Sequence, residues 1–125
     1  DARLALTALL VRIARSDNDY SPAEVAQIDR VIAQRYGLSA AEAAALRAEA
    51  ETLEAEAPDT VRFTRAIKDA VDYDHRRAVV QAMWSVVLAD GERADSENAL
   101  MRLTASLLGV TDQDSALARQ KADRR

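Results

Sequence analysis

What most constrains this chain is a pattern that it carries twice. Each copy is an apolar helical stretch, an acidic turn, a glutamate in the first turn of the next helix, an amphipathic stretch, a glycine stop and a newly capped helix. In the first copy Leu6, Leu10 and Ile13 precede Asp17-Asn18-Asp19, Glu24 stands seven residues after Asp17, and Gly37-Leu38-Ser39 leads to Glu42. In the second, Val79, Met83 and Val86 precede Asp90-Gly91-Glu92, and Glu97 stands seven residues after Asp90. Gly109-Val110-Thr111 then leads to Asp114 after a one-residue slip. Two facing copies can bury their apolar helices against each other. The repeat therefore predicts one all-α domain over residues 1–125, a bundle of about seven helices with a pseudo-two-fold relation and the first and fifth helices as its central pair.

The composition agrees. Only three glycines and two prolines interrupt 125 residues that are rich in alanine, leucine, glutamate and arginine, which are strong helix formers. Period and caps mark a first helix over about Ala2 to Arg15. A second opens with the capping box Ser21-Pro22-Ala23-Glu24 and stops at Gly37. A third opens with Ser39-Ala40-Ala41-Glu42 and runs to about Glu56. Its thin stripe of Leu46 and Leu53 among alanines predicts a surface helix. A fourth spans Thr60 to Val71 through Phe63 and Ile67. The fifth, about His75 to Ala89, is apolar almost all round, which predicts a buried helix at the centre of the fold. The sixth, Asp95 to Leu108, is expected to turn Leu100, Leu103 and Leu107 inward, and Thr111 with Asp114 caps a short seventh.

Several function classes drop out. With no cysteine there is no thiolate metal site, disulfide framework or thiol nucleophile. A single histidine, His75, makes a zinc site or a Ser-His-Asp triad a poor reading; beside Arg76 and Arg77 it reads as a solvated residue at a helix start. The net charge of −4, from 17 basic and 21 acidic side chains, argues against general nucleic-acid binding. No apolar run approaches the ~20 residues of a membrane helix, so no membrane insertion is expected, and the absence of cysteine fits a cytoplasmic protein. The chain starts at Asp1 rather than methionine, and native residues are expected to precede it. Trp84, among Met83, Val87 and Leu88, reads as core, and Tyr20, Tyr36 and Tyr73 as edge-packing residues near helix ends.

At Val87-Leu88-Ala89-Asp90-Gly91 with Glu97, the weaker copy Asp17 to Glu24, and the Gly-Leu-Ser and Gly-Val-Thr punctuation, the chain resembles the TerB-like family of bacterial tellurite resistance. It resembles more distantly the helical N-terminal domain of the DjlA co-chaperone. The resemblance covers nearly the whole chain. It implies a seven-helix bundle, a role in stress and metal-oxyanion resistance, no established enzymatic reaction, and an acidic metal-binding surface. The first turn departs from the pattern, with Asn18 where the second has Gly91.

The residues themselves leave two readings of the acidic turns open. Asp17, Asp19, Glu24, Asp90, Glu92, Asp95 and Glu97 supply hard oxygen donors at helix junctions, suited to a divalent cation such as Ca²⁺, Mg²⁺ or Mn²⁺. Capping and helix-dipole effects explain the same carboxylates without a metal. Neither turn is an EF-hand, because the twelfth positions would be Ile28 and Met101 where a glutamate is required. The expectation is a non-enzymatic, stress-associated binding or scaffolding module with a protein partner, its metal ligands drawn from Asp17, Asp19, Glu24, Asp90, Glu92 and Glu97. The alternative is a co-chaperone-like or regulatory interaction domain without metal.

Overall fold

Capping residues set the helix boundaries in the computed structural model. It describes residues 2–16, 20–57, 59–89 and 95–123, and of residues 95–98 the backbone only. Within these lie seven helices and no strand: α1 (Ala2–Ala14), α2 (Pro22–Tyr36), α3 (Ala40–Glu56), α4 (Val61–Ala70), α5 (Tyr73–Val87), α6 (Asp95–Leu107) and α7 (Asp112–Asp123). Both predicted capping boxes close: Ser21 and Ser39 accept the N–H of Glu24 and Glu42, whose carboxylates accept the serine N–H in return. Each box satisfies two of the donors that a helix start leaves orphaned. α2 and α6 end on left-handed glycines, Gly37 at φ 65° and Gly109 at φ 75°. In each case the next N–H reaches back, Leu38 to the Ala33 carbonyl and Val110 to the Ala105 carbonyl, both at 3.0 Å. A side chain in that conformation costs about 1–2 kcal/mol, hence the glycines.

Two helix starts depart from expectation. α5 begins at Tyr73 rather than His75, because Asp72 is its N-cap and accepts the His75 N–H at 3.0 Å. At α7 Thr111 Oγ1 accepts the Asp114 N–H at 3.1 Å, but the aspartate does not close the box. The Tyr73 hydroxyl does so, donating to Asp114 Oδ2 at 2.6 Å while the Thr111 N–H approaches it at 3.4 Å.

The packing obeys the repeat. α1 packs with α2 and α3, and α5 with α6 and α7; across the halves α1 meets α5, and each of them also meets the second helix of the other half. α4 breaks the equivalence by lying on α1 and α6, whereas no described helix lies across α5 and α2 in the same way. The consequence corrects the expectation that residues 75–89 form the centre. α1 is the innermost helix, buried from Ala5 through Val11 and again at Ile13 and Ala14. α5 buries Val79, Val80, Met83, Trp84, Val86 and Val87 but leaves Ala78, Gln81, Ala82 and Ser85 partly open. Gln81 and Ser85 hold the positions that Ala8 and Arg12 hold in α1, and α4 covers Arg12 with Phe63, whose ring centre lies 5.2 Å from the guanidinium.

α6 also differs from its expected phase. Met101, Thr104, Ala105 and Leu108 face inward, Leu100 and Leu107 are half-buried, and Leu103 is 53% exposed. Thr104 is tolerated in the core because its hydroxyl donates to the Leu100 carbonyl at 2.7 Å. α3 lies on the outside of α1 and α2 as predicted, approaching them through the buried Ala43 and Ala50.

Candidate functional site

Of the six carboxylates predicted as metal ligands, Asp17, Asp19, Asp90 and Glu92 lie outside the described residues, and Glu97 is described only as backbone in the first turn of α6. Asp95, named with them as a donor, likewise has only its backbone described. Glu24 is therefore the one whose side chain is placed. It is 1% exposed, an unusual position for a carboxylate. Its Oε1 accepts the Ser21 N–H at 3.0 Å, so capping accounts for that oxygen. Among the described residues no three histidine, aspartate or glutamate side chains come together as a metal cluster. A cation held at the first turn would draw on Glu24 together with Asp17 and Asp19.

Next to that turn the first half carries a charge network that sequence reasoning missed. Glu54 on α3 accepts from Arg12 Nε at 3.1 Å and from Arg15 Nη1 at 3.0 Å. Arg12 Nη2 also donates to the carbonyls of Glu54, at 3.1 Å, and Ala57, at 2.8 Å, and so ties α1 to the end of α3. Arg47 on α3 donates to Asp29 on α2 at 2.6 Å and to Glu51 at 3.1 Å. Asp29 above all holds the Arg47 guanidinium charged. Tyr20 completes the set: its hydroxyl donates to Glu51 Oε2 at 2.8 Å and its ring lies 5.0 Å from the Arg15 guanidinium. Burial, and then the Glu51 carboxylate, push its phenol well above the usual range.

The second half is built differently. A cavity of about 820 Å³ opens between α5, α6 and α7, lined by Trp84, Arg102, Ser115, Arg119, Asp112 and Asp123 among others. Trp84 is core, as expected, at 8% exposure. Its indole N–H donates to Ser115 Oγ at 3.3 Å, and the Arg119 guanidinium sits 5.1 Å over its ring. Two smaller clefts flank the centre. One of about 370 Å³ runs between α2 and α5 along Gln27, Val31, Gln81 and Ser85. The other, of about 560 Å³, gathers Arg65, Lys68 and Arg76 between α4 and the ends of α5 and α6. There Arg76 donates to the Leu108 carbonyl at 3.1 Å and caps α6. His75 is exposed, as expected, with its Nδ1 2.7 Å from Asp72.

A signal for the missed residues stands in the repeat itself. Asp29 follows the buried Ile28, and Arg102 follows the equally buried Met101, so opposite charges occupy matching places.

Compared with known proteins, the chain matches a family model described as "Tellurite resistance protein TerB" over residues 3–120. No curated protein and no solved structure gives a significant match. None of the described helices is long and apolar enough to cross a membrane.

Proposed function

The chain belongs to the TerB family, and from that premise we propose that it is a cytoplasmic stress-response module that binds rather than catalyses, with a divalent cation held at its acidic turns. The family match over residues 3–120 carries this reading. In this reading Asp17 and Asp19 join Glu24 at one junction, and Asp90 and Glu92 join Glu97 at the other. The cation supplies charge neutralisation and fixes the angle between the helices that each turn connects. The protein partner then reads a surface that forms only when both turns are loaded.

The test is thermal unfolding in EDTA and then in excess Ca²⁺, Mg²⁺ or Mn²⁺. A ligand at about a hundred times its dissociation constant adds roughly 2.7 kcal/mol to the folded state. At least one ion should raise the midpoint, and Asp90→Asn combined with Glu97→Gln should remove the rise. Identical melts in EDTA and in every ion would end the cation reading. Hydrolysis of a generic ester or phosphodiester that vanishes with the same variants would end the non-enzymatic one.

The α2–α5 cleft favours a second reading, a co-chaperone-like or regulatory interaction domain without metal. It is the seam that α4 occupies in the other half, and there it stays open. In that case partner binding should persist in EDTA and fall when negative charge is introduced with Gln34→Glu and Gln81→Glu, while the melting temperature stays constant.

A further inference from the structure

The two halves can be aligned at a second level, between their second and third helices. Ile28 and Met101 are both fully buried, and the next residues are Asp29 and Arg102. Ser39 and Thr111 both cap, and the same step beyond each leads to Arg47 and Arg119, then to Glu51 and Asp123. In the first half these positions form a closed triad, with Arg47 2.6 Å from Asp29 and 3.1 Å from Glu51. In the second half the carboxylate of Asp29 is replaced by the guanidinium of Arg102.

Arg102 and Arg119 therefore line one cavity, and among the described residues neither has a carboxylate within ion-pairing distance. Two like charges on a shared wall destabilise where the opposite arrangement stabilises. The cavity also opens against a larger side chain, Trp84, at the α5 position where α1 has the fully buried Val11.

We propose that this cavity binds a small organic anion whose carboxylate or phosphate bridges Arg102 and Arg119, in the place that the Asp29 carboxylate takes in the other half. Paired arginines suit such groups because the guanidinium fork matches their oxygens. The volume of about 820 Å³ falls in the range of roughly 300–1,000 Å³ typical of organic ligands and is too large for a bare ion. Asp112 and Asp123 stand at opposite ends of α7 and line the same cavity. They disfavour polyanions and favour a ligand that also carries hydrogen-bond donors. The proposal is independent of the acidic turns and of any cation there.

Trp84 is the only tryptophan, so its emission reports the site directly. Glycerol 3-phosphate, malate and inorganic phosphate are titrated in EDTA, with chloride at matched ionic strength as the reference. Glycerol 3-phosphate or malate should give a saturable change in Trp84 emission, with a dissociation constant on the order of 1 mM for a solvent-open site. A response to only one of these two identifies the ligand's anionic group as phosphate or carboxylate. Arg102→Gln should weaken binding at least tenfold. Arg102→Asp should abolish binding and raise the melting temperature, because it supplies the missing partner of Arg119. The proposal is overturned if no organic probe gives a saturable response beyond that of chloride or inorganic phosphate, or if Arg102→Asp responds as the wild type does.

Discussion

The two halves share one plan, yet the first is shut and the second is open. In the first, α4 lies over the central helix, Arg12 is clamped beneath Phe63, and Arg47 has a carboxylate on either side. In the second, the matching seam beside α5 is lined by Gln81 and Ser85, and the arginine matching Arg47 faces a cavity that it shares with Arg102. A duplicated scaffold thus separates two tasks. One copy supplies rigidity, and the other exposes polar groups that rigidity does not need. Stability should follow this division, and each difference between the halves offers a place to test it.

The largest effect is expected at the helix that the second half lacks. Phe63 is fully buried on α4 and lies against the Arg12 guanidinium. Phe63→Ala should cost about 3–5 kcal/mol in urea unfolding, through lost burial and the cavity left behind. A loss under about 1 kcal/mol would mean that the site collapses freely and that α4 does not hold the first half shut.

Next come the equivalent arginines. Arg47 is mostly buried and held by two carboxylates on two helices. Arg47→Ala should cost about 1–2 kcal/mol, given that exposed pairs contribute little and charge-assisted bonds in partial burial somewhat more. Arg119 has stacking on Trp84 and no ion pair among the described residues, so Arg119→Ala should fall within about 0.5 kcal/mol of the wild type. Equal losses at the two positions would erase the distinction between a closed triad and an open wall.

A third comparison concerns how each third helix is capped. α3 has a closed box, whereas at α7 the Tyr73 hydroxyl stands between Thr111 and Asp114. Tyr73→Phe removes that bridge and should cost about 1 kcal/mol, the usual net worth of a hydrogen bond. Thermal melts of Tyr73→Phe alone and with Asp114→Asn separate the two: if the tyrosine bridges the cap, the second substitution adds little to the first.

Helix number, caps and glycine stops were legible because each depends on residues within a few positions of one another. Ser21 with Glu24 and Ser39 with Glu42 announce themselves in the sequence and close in the structure. The phase of α6 was not legible. Leu100, Leu103 and Leu107 form one apolar stripe, and Met101, Thr104, Ala105 and Leu108 form a neighbouring one a fraction of a turn away. Only packing against α1, α4, α5 and α7 chooses between them, and it chooses the stripe holding a threonine and an alanine. The seat of α4 was hidden for a similar reason: Phe63 and Ile67 mark an inward face but not the seam that it covers. Of the candidate site, the capping of Glu24 could be read directly. The Asp29–Arg47 pair joins two helices and needed coordinates, although the exchange of Asp29 for Arg102 was already visible once the copies were aligned.

The smallest expected effect separates capping carboxylates by pH. Glu42 and Asp72 both lie below the ordinary carboxylate range, chiefly because the backbone N–H of Ser39 and of His75, respectively, donates to them. A carboxyl group whose folded pKa is depressed contributes stability that is present above the unfolded value, near 4, and is lost as pH falls through the folded one. Wild-type stability should therefore decline below about pH 4 partly through these two caps. Glu42→Gln and Asp72→Asn remove the titration while keeping an acceptor oxygen, and asparagine is itself a good N-cap. Each variant should start slightly lower at neutral pH, where the charge also favours the helix start, and should fall less steeply in acid. If midpoints from pH 7 to pH 3 run parallel to those of the wild type, these carboxylates do not drive the acid limb.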